Sequence, residues 1–216
     1  MPTKKNRLTR KSKDNITSIV FLAIILIPGK MAAQSVEKPF LRFGFQAGIN
    51  LSNMNFNAGE PPPQVKAEPS WKAGFSVGLQ LRFLLTSKLI LQPEYAFNER
   101  NSSDKGQATD YSIDYFSLPV LLVYQVSPRL GILGGPQFEI LVDAREKDTN
   151  GETNVTHSIE ERGIGIVGGL EFAVYKDFFV SARYLQGLNH VGLRQGTSDQ
   201  KEFKYQSFIL TAGIRF

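Results

Sequence analysis

Cysteine is absent from this sequence of 216 residues, and histidine occurs only twice, at His157 and His190. The lack of cysteine excludes disulfide bonds and thiolate metal sites, and two histidines argue against a histidine-rich metal site. Beyond residue 34 there is no run of about 18 apolar residues, which is the length that a transmembrane helix needs. The composition therefore predicts neither a metal site nor a cofactor. Beyond residue 34 it also predicts no transmembrane helix, so any crossing of a membrane there must use other elements.

An excess of positive charge is also absent once the first 33 residues are set aside. That segment holds seven Lys and Arg residues against one acidic residue, Asp14, so it accounts for the formal net charge of +5, and the rest of the chain is close to neutral. A nucleic-acid-binding protein needs a basic surface on its folded part. Nucleic acid is therefore not an expected partner.

The N-terminal segment has the pattern of a secretory signal. A basic run at 4–13 is followed by nine apolar residues, Ile19–Ile27, and then by small residues up to Ala33. Nine residues span about 14 Å as a helix, which is too short for a bilayer core of about 30 Å. We expect a cleaved signal peptide at 1–33, a short periplasmic lead at 34–40 and one domain at 41–216. An uncleaved anchor is the alternative.

The remainder of the chain alternates between apolar and polar residues with a period of two. In 41–51 and 71–83 every second residue is apolar, and the residues between them are Gly, Ser, Asn, Gln, Lys or Arg. This period is typical of β-strands with one face on apolar surroundings. Eight strands are predicted, at 41–51, 71–83, 89–98, 115–126, 130–142, 163–175, 178–188 and 203–216.

The lengths of these strands and of their connections favour a membrane barrel. Strands of roughly 10–13 residues exceed the usual 5–6 of soluble proteins and fit a bilayer crossing of about 9–11 tilted residues. Short turns follow the second, fourth and sixth strands, whereas long polar loops are predicted near 52–70, 99–114, 143–162 and 189–202. Outer-membrane barrels show this asymmetry. The sequence thus predicts an all-β, eight-stranded antiparallel up-and-down transmembrane β-barrel with both termini in the periplasm.

The polar face of the strands carries the charged residues. If lipid covers the apolar face, this polar face lines the barrel interior, and its charges can pair with one another. The predicted interior network consists of Arg42, Arg82, Glu94, Glu139, Glu171, Arg183 and Arg215. A soluble, lipocalin-like ligand-binding barrel is the alternative, but such a barrel has an apolar interior.

Several segments, in order along the chain, are similar to one known family. They include Phe43–Asn50, Leu91–Tyr95, Phe116–Leu122, Gly165–Glu171 and Arg183–Leu188. Together they resemble the PorT-like outer-membrane β-barrel family. The resemblance implies an eight-stranded outer-membrane barrel and raises a role in secretion. It also implies that the barrel-assembly machinery reads the last strand, with Phe208, Leu210, Ile214 and Phe216 as the C-terminal assembly signal.

One group of residues has the types that an enzyme would need. His157 and Ser158 are followed by Glu160 and Glu161 in a predicted loop, and barrels that modify lipid A use serine, histidine and an acidic group. Adjacent residues of an extended chain point to opposite sides, which favours a solvated loop instead. We therefore expect no catalytic residues. The expected function is that of a non-enzymatic outer-membrane protein that acts through its extracellular loops or as an accessory of an outer-membrane assembly. The expected partners are outer-membrane lipid, the barrel-assembly machinery and a protein at the extracellular loops.

Overall fold

The structure is a computed structural model that describes residues 40–55, 57, 68–106, 108–149, 151–195 and 199–216. The predicted signal peptide at 1–33 and residues 34–39 of the predicted lead lie outside this range. Among the described residues, no helix is both long and apolar enough to cross a membrane.

The described residues form ten strands, which pair in an antiparallel manner. They are β1 (Leu41–Asn55), β2 (Pro69–Leu84), β3 (Leu89–Asp104), β4 (Thr109–Gln125), β5 (Leu130–Asp148), β6 (Gly151–Asn154), β7 (Arg162–Tyr175), β8 (Phe178–Gly187), β9 (Val191–Gln195) and β10 (Asp199–Arg215). Eight of them pair in the order β1-β2-β3-β4-β5-β7-β8-β10, and β10 pairs back to β1. The predicted closed eight-stranded antiparallel barrel is confirmed. The two short strands, β6 and β9, extend it at one end.

The closing pair joins the first and last strands. Gly44 lies opposite Arg215 and Asn55 lies opposite Lys204, with unbroken register between them. Closure gives each of the eight described barrel strands a paired neighbour on both sides.

Large apolar side chains cover the outside of the barrel. Ile49 is 55% exposed and Leu210 is 54% exposed, whereas the inward residues between such positions are buried. We call these outward residues the apolar belt; they include Phe43, Phe45, Ile49, Leu51, Trp71, Phe75, Leu79, Tyr95, Val120, Leu122, Ile132, Phe138, Ile140, Ile166, Leu170, Phe172, Val180, Phe208 and Leu210. Alternation along each strand produces the belt because successive side chains point to opposite faces.

The connections differ strongly between the two ends of the barrel. At one end, the short-turn end, residues 85–88, 126–129 and 176–177 join consecutive strands. At the other end, the hairpin end, several strands continue well past the belt. The loop predicted at 99–114 is wrong, because β3 runs to Asp104 and β4 starts at Thr109. The predicted loops at 143–162 and 189–202 also contain strand residues, from β5, β6, β9 and β10.

The polarity of the barrel wall changes at the hairpin end, and this explains the missed strand residues. Here the interior holds apolar side chains such as Met54, Ile113, Ile159 and Phe203, all 5% exposed or less. The outward positions become polar, so the apolar-out alternation of the belt does not continue. We call residues 99–104, 109–114 and 143–148 together with β6 the outer sheet.

Candidate functional site

A network of ion pairs fills the middle of the barrel interior. Glu171 on β7 lies between two arginines: Nη1 of Arg82 is 2.7 Å from its Oε1, and Nη2 of Arg215 contacts its Oε2. The Glu171 side chain is 2% exposed. A buried carboxylate requires such pairing because its isolated charge would be strongly unfavourable in the interior.

The same network continues toward the hairpin end through an amide. Arg82 also donates to Gln92 at 2.7 Å, and Gln92 donates to Glu94 at 2.6 Å. Glu94 accepts both terminal nitrogens of Arg183, at 2.7 and 2.9 Å. Five of the seven predicted interior residues are thus connected. We call this group the central network; it consists of Arg82, Gln92, Glu94, Glu171, Arg183 and Arg215.

Glu139, another predicted interior residue, belongs to a separate cluster. It pairs with Arg100, whose Nη1 donates to Oε2 at 2.6 Å, and it also accepts bonds from Ser117 and Tyr205. The rings of Tyr115 and Tyr205 lie 5.1 and 4.7 Å from the Arg100 guanidinium carbon. We call Arg100, Glu139, Tyr115 and Tyr205 the upper clamp.

Sequence reasoning missed Arg100 because the residue fell in a predicted loop. Its spacing held a usable signal, since Arg100 continues the parity of the inward residues Glu94 and Asn98 along β3. Arg42, in contrast, is not connected to the central network. Its Nη2 lies 2.7 Å from Asp177 at the short-turn end, and the two side chains are 37% and 50% exposed.

The interior charges pair with one another, and their arrangement is that of a filled barrel. Eight strands enclose little more space than their own side chains need, and here arginines, glutamates and amides fill it. Among the described residues, no three His, Asp or Glu side chains come close enough together to hold a metal ion. The geometry supports a structural role for both clusters.

Lys72 lies on a different face from the one that alternation predicts. The sequence pattern places Lys72 with the inward residues, but the register between β2 and β3 shifts between Trp71 and Ser76. Lys72 instead pairs with Asp110 of the outer sheet at 2.5 Å, and both side chains are more than a third exposed. The hydrogen bond from Lys72 holds the pKa of Asp110 below its ordinary value.

The residues of the enzymatic alternative do not assemble into a reactive group. His157 lies in a short 3-10 helix, Thr156–Ser158, which contains no buried residue. Within the described chain, no hydrogen bond joins His157 to Ser158 or to either following glutamate. A serine nucleophile requires its base within hydrogen-bond reach.

The residues of the predicted C-terminal assembly signal face mostly outward. Phe208, Leu210 and Phe216 are 53%, 54% and 72% exposed, and Ile214 is half-buried. The backbone N–H of Phe216 donates to the carbonyl oxygen of Phe43 at 2.8 Å. The last residue is therefore tied to β1, and its role in assembly stays a prediction.

Comparison with known proteins places the chain in a family. The family model described as "Outer membrane protein beta-barrel domain" matches residues 32–192. The solved structure of Neisserial surface protein A is similar, with 12% identity and a TM-score of 0.50, over 81% of this chain and 97% of that one. Ail, the attachment invasion locus protein of Yersinia pestis, has 17% identity and a TM-score of 0.48, over 81% and 98%. OprG from Pseudomonas aeruginosa has 11% identity and a TM-score of 0.45, over 81% and 95%. No curated protein matches the sequence.

Proposed function

This chain belongs to the family of outer membrane protein beta-barrel domains, and from this membership we propose that it is a non-enzymatic outer-membrane protein that acts through its outer sheet. The observation that supports the proposal most directly is the continuation of β3, β4 and β5 past the apolar belt. A barrel that only had to cross lipid would not need strands of 16, 17 and 19 residues, because about 9–11 are enough.

The two ends of the barrel suggest its orientation. Outer-membrane barrels have short turns in the periplasm and longer connections outside the cell. By this rule the hairpin end faces the medium and the short-turn end faces the periplasm. Both termini of the described barrel lie at the short-turn end, where Phe216 bonds to Phe43, and are therefore proposed to be periplasmic.

The outer sheet has a surface that suits an extended partner. All four residues of β6 are exposed, and among the described strands β6 pairs with β5 alone. A strand with one unpaired side can accept a strand from another chain by main-chain hydrogen bonding. We propose that a protein segment in extended conformation binds here. This partner could belong to an outer-membrane assembly, including the secretion machine that the PorT-like resemblance implies.

A photo-crosslinking residue at Thr153 on β6 tests this proposal in whole cells. We expect it to capture a discrete protein partner. The same crosslinking residue at Ser87, in an exposed turn of the short-turn end, is the matched control and should not capture that protein. Shortening the hairpin by replacing 147–152 with Asn-Gly should abolish the capture without preventing barrel folding. Capture that persists in the shortened variant would contradict the proposal.

The non-enzymatic part of the proposal has its own test. The purified barrel should leave lipid A chemically unchanged in detergent. Release of a fatty acid that depends on His157, as judged by loss in a His157→Ala variant, would overturn it in favour of a lipid-modifying enzyme.

A further inference from the structure

A groove interrupts the apolar belt on one side of the barrel. It crosses β7, β8, β10 and β1 and is lined by Gly168, Ala182, Leu210 and Ile49, with Tyr184 and Phe208 on the side of the hairpin end. Its volume of about 410 Å³ falls within the range of about 300–1,000 Å³ that is usual for ligand pockets. The lining is almost entirely apolar, so its occupant has to be apolar as well.

The groove exists because small residues replace large ones at neighbouring outward positions. Gly168 stands between the exposed Ile166 and Leu170, and a Cβ added to it would have no atom within 4 Å. On the next strand, Ala182 pairs with Leu170. The missing side chains leave a depression whose floor is backbone.

Polar groups lie next to the groove, on its side toward the hairpin end. The Tyr184 hydroxyl and the Gln206 amide nitrogen both donate to Oε1 of Gln186, at 3.0 and 3.1 Å. Two residues further along the same face of β10 lies Lys204, which takes part in no ion pair within the described part of the chain. Glu202, the next residue on that face, lies 4.0 Å from Nδ1 of His190.

We propose that this groove binds lipid A, with one acyl chain in the apolar part and a phosphate near Lys204. A Lys side chain binds phosphate oxygens well, and cations near a membrane surface attract anionic headgroups. An apolar depression that continues into hydrogen-bonding groups and then into positive charge matches an acyl chain, a sugar and a phosphate in the same order.

Lipid A is preferred to other occupants on two grounds. The groove opens within the belt that faces the bilayer, so acyl chains contact it without any further protein. It also lies in the half of the belt next to the hairpin end, which corresponds to the outer leaflet, where Gram-negative bacteria place lipopolysaccharide. This second ground rests on the orientation given under the proposed function.

Native mass spectrometry of the folded protein in detergent tests the proposal. The probes are bis-phosphorylated lipid A, phosphatidylglycerol and phosphatidylethanolamine, added separately. We expect one retained lipid A and at least tenfold weaker retention of either phospholipid. Gly168→Phe, which fills the open space above the backbone, should weaken lipid A retention at least tenfold. Val120→Phe enlarges an outward belt residue on β4, away from the groove, and is the matched control that should behave as wild type.

The charged end of the site has a separate test. Lys204→Gln should weaken retention of bis-phosphorylated lipid A severalfold and leave retention of dephosphorylated lipid A unchanged. The sole tryptophan gives a second signal, because the Trp71 ring lies 5.4 Å from Phe208 at the edge of the groove. Its emission should change on addition of lipid A in wild type and in Val120→Phe, but not in Gly168→Phe.

Three outcomes would overturn the inference. They are equal retention of lipid A by wild type and Gly168→Phe, retention of phosphatidylglycerol as strong as that of lipid A, and a dimer that Gly168→Phe dissociates. The last result would identify a second copy as the occupant. None of them bears on the outer sheet, whose proposed partner is tested separately by crosslinking at Thr153.

Discussion

Arg100 on β3 and Glu139 on β5 form an ion pair across the intervening strand β4, with side chains only 1% and 0% exposed. The guanidinium lies near the rings of Tyr115 and Tyr205, and the carboxylate accepts four different side-chain donors. Because both charges are removed from water, each depends on the other for compensation.

Loss of one member of this pair should cost far more than loss of both. Glu139→Gln leaves a buried guanidinium without its counter-charge, and we expect a destabilisation of about 3–5 kcal/mol. The double variant Arg100→Met with Glu139→Gln should recover much of that loss. Arg42→Met breaks an exposed pair and should cost about 0–1 kcal/mol. Urea unfolding in lipid vesicles, followed by Trp71 fluorescence, measures all three. A loss in the double variant that is as large as or larger than the loss in Glu139→Gln would exclude the coupling.

An arginine substituted on the outer face of β3 should destabilise the barrel within the belt but not within the outer sheet. Tyr95 is 47% exposed within the belt, so Tyr95→Arg should destabilise the barrel by about 2–4 kcal/mol in a bilayer. Ser103→Arg lies on the same face of the same strand, beyond the belt, and should change stability by less than about 0.5 kcal/mol. Similar losses at the two positions would mean that the lipid boundary lies elsewhere.

The absence of cysteine makes the orientation directly measurable. A Thr153→Cys variant should react in intact cells with a maleimide that does not cross membranes, since Thr153 is exposed on β6. Ser87→Cys, at the short-turn end, should react only after the outer membrane is opened. The reverse pattern of labelling would place the hairpin end in the periplasm.

The terminal phenylalanine should matter for assembly in cells more than for folding. Deletion of Phe216 removes an exposed ring and the backbone bond to Phe43, and we expect a sharp drop in assembled barrel while refolding in detergent survives. Phe40→Ala removes another ring, 66% exposed and close to the start of β1, and should leave assembly intact. If deletion has no effect on the amount of heat-modifiable barrel in outer-membrane fractions, Phe216 is an ordinary surface residue.

The Lys72–Asp110 pair should show a defined dependence on pH. The hydrogen bond from Lys72 lowers the pKa of Asp110 in the folded state. The pair therefore stabilises the outer sheet fully at pH values above about 3.9, the pKa of an aspartate in an unfolded chain. This stabilisation is lost as the pH falls through the lower pKa of the folded state. Lys72→Met should raise the pKa of Asp110, as followed by NMR titration of its carboxyl carbon.

The belt could be predicted from sequence because lipid enforces strict alternation. Residues such as Ile49 and Leu210 must be apolar wherever they face hydrocarbon, and the inward residues between them are free to be polar. The boundaries that the sequence predicts for the eight strands at the short-turn end are therefore correct to within one residue.

The outer sheet was missed for the opposite reason. Beyond the belt the outside faces water, so polar residues such as Ser103 and Asp110 lie outward. The inward residues there include a charged, a polar and an aromatic side chain, at Arg100, Ser102 and Tyr111, so no apolar–polar period of two results. The partner of Glu139 was missed for the same reason, although the partners of Glu94 and Glu171 lie within the predicted strands. The shift in register near Lys72 could not be predicted, because one extra residue in a strand is not marked by any particular residue type.

The pairing of β1 with β10 also bears on how the chain folds. Gly44 lies opposite Arg215, so the contact that closes the ring joins residues from nearly opposite ends of the described chain. Contacts of such long sequence separation form slowly, because the entropy of a large loop must be lost before the contact gives any stabilisation. Of the eight barrel strands, the last to be synthesised, β10, is also the one that completes the ring. Every earlier species therefore carries two unpaired strand edges, and it needs protection from aggregation until β10 arrives.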